Sequence, residues 1–97
     1  MTVDELETTF ERHSDADEFL EFSRIEKPRH PRPDLCAFLM LHDLVPGTRD
    51  MVAAAEHDEI ALEIDIEALA AVATDDIVRD LVRCGIRLSD GSLAMFV

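Results

Sequence analysis

The sequence predicts an α+β domain, rich in helix, whose C-terminal part runs strand, helix, helix, β-hairpin. Three stretches predict it. EIALEID alternates, with Ile60, Leu62 and Ile64 on one face and Glu59, Ala61, Glu63 and Asp65 on the other, as a half-buried strand does. TDDIVRDLVRCG sets Ile77, Val78, Leu81 and Val82 on one helical stripe between Thr74 as N-cap and Gly85 as left-handed stop. IRLSDGSLAMFV places Asp90-Gly91, a two-residue turn signal, between two apolar runs, so that Ser89 pairs with Ser92, Leu88 with Leu93 and Ile86 with Met95.

The 97 residues are expected to form one domain in three parts: an acidic helical segment 1–26, a basic proline-rich strap 27–34, and a core 35–97. In residues 3–26 the apolar positions are Leu6, Phe10, Phe19, Phe22 and Ile25, with a break at His13 and Ser14. Ser14 followed by Asp17 reads as the cap of a second helix. This thin apolar stripe among acids can pack on the core or on a partner. KPRHPRPD, with prolines at 28, 31 and 33, forbids helix and favours an extended strap. Arg24, Lys27, Arg29, His30 and Arg32 make it a basic cluster able to grip a phosphate, a carboxylate or the protein's own acids.

Asp34 reads as the cap of DLCAFLMLHDL, whose apolar run without alternation or β-branching predicts a buried central helix over 35–44. Pro46 and Gly47 end it. Thr48 and Asp50 then open a short helix through Met51, Val52 and three alanines to Glu56, with His57 and Asp58 as the exit turn. The strand spans 59–64, Asp65 caps a helix over 66–73, and the helix 75–84 leads into the hairpin.

This order of helix, strand, helix, helix and hairpin resembles that of winged-helix domains, although the short helix near 49–56 departs from their pattern. The resemblance would make 75–84 the groove-entering helix. That helix carries Asp75, Asp76 and Asp80 against Arg79 and Arg83, and the wing carries Arg87 beside Asp90, so contact with protein is expected rather than with DNA.

Composition bounds the function further. With 47% apolar and 32% charged residues the chain should fold, and its net charge of -13 repels phosphate. Direct nucleic-acid and anionic-membrane partners are therefore disfavoured and a basic protein favoured. The bland reading of the same charge is solubility. Eight Arg to one Lys, with no Asn, Gln, Tyr or Trp, also fits an acidic housekeeping domain of a salty cytoplasm. MTVDELE carries acids where a secretory signal carries Lys or Arg, and the apolar run 35–41 is too short to span a bilayer, so a cytoplasmic protein is expected.

Cys36 and Cys84 form no metal-binding pair and read as buried thiols, although Cys36 in the first turn of its helix is the better placed for thiolate chemistry. His13, His30, His42 and His57 fall in different elements with no HxxxH spacing, so neither metal nor cofactor is expected. His42 and Asp43 near the end of the central helix, with His57, Asp58 and Glu59 at a turn, are the candidate polar site. The expected function is non-catalytic binding of another protein, as an inhibitor or adaptor contacting a basic nucleic-acid-binding partner. The alternatives are a small enzyme or metal-binding protein using the residue 42 and 57–59 turns, and the salt-adapted housekeeping domain.

Overall fold

A computed structural model describes residues 1–96; Val97, the end of the expected hairpin, lies outside the described residues. Helix α1 spans Val3–Asp15. Its start is a capping box: Thr2 Oγ1 accepts from the Glu5 N–H at 3.1 Å, and the Glu5 carboxylate accepts from the Thr2 N–H at 2.9 Å. Leu6, Thr9, Phe10 and His13, spaced as one helical face, are buried.

The second helix expected after Ser14 is not formed. Ser14 lies in the last turn of α1, and the chain passes through left-handed residues at Asp17 (φ 61°) and Leu20 (φ 64°) to a short 3₁₀ turn, Phe22–Arg24. Tertiary tethers override the helical pattern here. The Leu20 N–H donates to the Val82 carbonyl at 3.2 Å, and Phe19, Phe22 and Ile25 reach the core from this irregular segment.

Helix α2 spans Pro33–Leu44. Pro33 occupies the first turn, where its missing N–H costs nothing, and Asp34 sits inside the helix rather than capping it. The helix is buried along one side only. Cys36, Ala37 and Leu41 are inaccessible, whereas Leu39, His42 and Asp43 are exposed, so the expected central helix is a flank of the core.

The largest departure is at 49–56. In place of a helix, strand β1 (Val52–Glu56) forms a hairpin with β2 (Glu59–Leu62) across the turn His57-Asp58, with Glu56 opposite Glu59, Ala55 opposite Ile60 and Ala54 opposite Ala61. Alanine's helix preference was too weak over so short a run to resist pairing with a strand two residues away. A bulge at Ala53 interrupts the register before Val52 meets Leu62.

Helices α3 (Ile66–Val72) and α4 (Asp75–Arg83) follow as expected, capped by Asp65, which accepts from the Ala68 N–H at 3.2 Å, and by Thr74, which accepts from the Ile77 N–H at 3.3 Å. Strands β3 (Ile86–Ser89) and β4 (Ser92–Phe96) make the hairpin in the expected register, and Asp90 and Gly91 both take positive φ, as its tight turn requires. The four strands form one antiparallel sheet in the order β1-β2-β4-β3. The result is an α+β domain in which the strand, helix, helix, hairpin sequence is present, with an added strand where a helix was expected.

Helix α1 packs on α4, β3 and α3. Leu6 and Phe10 meet Leu69, Val78, Leu81, Val82, Ile86, Leu93 and Met95 in one core. Alternation sends Leu93 and Met95 inward and Ala94 and Phe96 to the outer face of the sheet. No helix among the described residues is long and apolar enough to cross a membrane.

Gly85 ends α4 at φ 95°, and a Cβ there would come within 2.7 Å of Leu20 Cδ2. Gly85→Ala is therefore expected to destabilise by about 1–2 kcal/mol through backbone strain, plus whatever shift Leu20 must make. Gly47→Ala, where nothing lies within 4 Å of the new atom, is the control and should stay close to wild type. Equal denaturation midpoints for the two variants would count against the close Leu20 approach.

Candidate functional site

The strap's arginines are held by the protein's own carboxylates. Arg24 pairs with Glu18 at 2.8 Å, Arg32 with Asp34 at 2.7 Å, and Arg29 with Asp43. His30 Nδ1 accepts from the Arg32 N–H at 3.1 Å. Lys27 is exposed at φ 52° and has no carboxylate within ion-pair range among the described residues. The guanidinium groups stay half exposed, so the cluster is braced rather than buried.

The Arg29–Asp43 pair joins one residue of the strap to one of the candidate polar site, at the rim of a cleft of about 390 Å³. Ile25, Cys36, Met40 and Ile77 give the cleft an apolar floor. The polar residues themselves are distributed: His42 is exposed on α2, His57 and Asp58 are exposed in the β1–β2 turn, and Glu59 pairs with Arg87. Among the described residues no three His, Cys, Asp or Glu side chains converge on a common centre.

A carboxylate and guanidinium network, not foreseen from the sequence, ties the turn after α1 to α4. Arg83, only 13% exposed, bonds Glu18 through Nε at 2.5 Å, the Arg24 carbonyl at 3.2 Å and Asp80 at 3.4 Å. Arg83 foremost, with Arg24, holds the Glu18 carboxyl below its ordinary 4.5. At the other end of α4, Arg12 foremost holds Asp75 below its ordinary 3.8. The buried His13 places Nε2 3.3 Å from Asp75 Oδ1 without the geometry of a good hydrogen bond.

Depressed carboxyl values give stability that is complete above the unfolded-state values and is lost as pH falls through the folded ones. The melting temperature is therefore expected to drop as pH falls below about 4.5. The experiment belongs in moderate salt, which screens repulsion among exposed carboxylates more than it weakens the Glu18–Arg83 pair. Glu18→Gln should lose part of this acid limb, and an identical pH profile for that variant would remove Glu18 from the account.

The two thiols, far apart in sequence, are neighbours in the core. Burial first, and the adjacent Cys36 sulfur second, push the Cys84 thiol far above its ordinary range, and Cys36 Sγ also lies 4.0 Å from Met40 Sδ. Both are buried and pack as small hydrophobes.

On the outer face of the sheet, Ala54, Ala61 and Ala94 stand side by side on β1, β2 and β4, and Arg87 of β3 continues the row. The three alanines, with Glu56 and Glu59, line a shallow trough of about 280 Å³. Arg87 lies beside Ala94 and reaches Glu59, whereas Glu56, directly opposite Glu59, has no cation among the described residues. No protein-family profile, curated protein or solved structure matches this chain.

Among the described residues, seven of the nine Lys and Arg residues pair with seven of the 22 side-chain carboxylates, leaving fifteen carboxylates against Lys27 and Arg49. Sequence reasoning found the strap and the acidity. It missed the trough because it read Met51–Glu56 as helix. The alternation of EIALEID, which demands a partner strand, beside the two-residue spacer His57-Asp58 was the signal available.

Proposed function

We propose that this domain is a non-catalytic binding module for another protein, one that presents a basic surface. The observation that supports the reading is the uncompensated carboxylate excess, since among the described residues seven of the nine cations pair with the protein's own acids and the net charge is -13. A basic nucleic-acid-binding protein is the class of partner such a field attracts fastest. Occupying its cationic groove would make the domain an inhibitor or adaptor in competition with nucleic acid.

A tagged capture from a host lysate at low and high salt, with bound proteins identified by mass spectrometry, tests the reading. One basic partner that is released by salt and displaced by nucleic acid is the expected result. Absence of a specific partner at either salt would overturn it and leave the acidity as a solubility or salt-tolerance device. Unfolding of the isolated domain on salt removal would favour that second reading, because screening would then be what permits folding.

A further inference from the structure

Resting on the protein-binding reading above, we propose that a basic, extended segment of the partner adds to the sheet as a fifth strand along β1. One of its Arg or Lys side chains would lie on the alanine floor beside Glu56 and Glu59. The two edges of the sheet differ. β3 packs against α1 and α4 and buries Ile86, whereas all five residues of β1 are exposed.

Glu56 and Glu59 flank a two-residue turn and so exchange the ladder bonds, which leaves the N–H and C=O of the next residue, Ala55, facing outward. An uncovered strand with outward backbone groups is the template that strand addition uses. The edge carries no Lys or Pro of the kind that blunts exposed edges; only the bulge at Ala53 does so, and it lies at the far end from the turn.

Charge selects the occupant. Residues 48–65 hold Asp50, Glu56, Asp58, Glu59, Glu63 and Asp65 against Arg49. Glu56 and Glu59 face each other directly, an arrangement that costs stability until a cation arrives. The protein already answers half of this need: Arg87 comes in from the β3 side, beside Ala94, to pair with Glu59. A cation entering from the β1 side beside Ala54 would do the same for Glu56. A second copy of the chain fits poorly, because its own edge would bring the same acids.

The test titrates the isotope-labelled full chain with a capped peptide of alternating arginine and valine, and with its glutamate and valine counterpart. Expected are shifts and slowed amide exchange at Ala53–Glu56 with the basic peptide alone, weakened by salt. Ala55→Pro removes an outward donor but no bond to β2, and Glu56→Lys reverses the charge; each should weaken binding by about tenfold or more, with the signals of α1, α4 and β4 unchanged. Binding that maps to α1 or α4 and survives both variants would overturn the β1 site and leave the binding-module reading intact. No response to the basic peptide at low salt would also overturn the site, and lysate capture would then decide the broader reading separately. Slowed exchange at β1 that grows with protein concentration, without peptide, would assign the edge to a second copy instead.

Discussion

Deleting residues 93–97 is expected to abolish the cooperative unfolding transition. β4 follows β1, β2 and β3 in sequence, yet it lies between β2 and β3 and is paired on both sides. Leu93 and Met95 are 0% and 1% exposed, and truncating either one to alanine would cost about 2–5 kcal/mol. Together they approach the whole stability of a domain this size, about 5–15 kcal/mol. The deletion also separates the β1–β2 hairpin from the rest of the sheet, and an isolated two-stranded hairpin is marginal in water. A thermal scan by circular dichroism should lose its sigmoid, with dispersed amide signals collapsing. A truncated chain that melts like the parent would contradict the central position of β4.

Phe10→Ala should leave a folded but much weakened protein. Phe10 is 2% exposed on the buried face of α1, the helix that joins α4, α3 and β3. Large-to-small changes at such sites cost about 3–5 kcal/mol, the residual cavity adding to the lost transfer energy. In a domain of this length each kcal/mol moves the midpoint by about 4–8 °C, so a fall of roughly 12–40 °C is expected. A shift of only a few degrees would mean that α1 is a loosely docked arm whose apolar face is available to partners.

The parts of the fold legible in the sequence were those where local chemistry and tertiary demand agree. Thr74, Asp75, the Ile77–Val82 stripe and Gly85 all point to one helix, and the helix is there. Asp90-Gly91 fixed the register of its hairpin for the same reason. Where the two levels conflict, local reading failed. Val52–Glu56 is an alanine-rich run that becomes a strand only because β2 lies two residues downstream.

Residues 16–25 look helical by composition but are pulled into left-handed turns by Leu20 reaching Val82 and Glu18 reaching Arg83. The candidate residues fared likewise. The strap's basic character and its contact with the protein's own acids were legible, but that those acids are Glu18, Asp34 and Asp43 was not, and the outer trough depended on the misread strand.

The position of β4 also governs when the protein can fold during synthesis. A ribosome adds about 5–20 residues per second, and until the chain through Phe96 has left the exit tunnel β3 has no partner strand and β2 is paired with β1 alone. Until that moment the nascent chain can form helices and one hairpin but no closed core, and the apolar faces of α1, α4 and β2 stay open. A stalled or prematurely terminated chain is thus a client for chaperones and proteases, not a shorter working version of the domain.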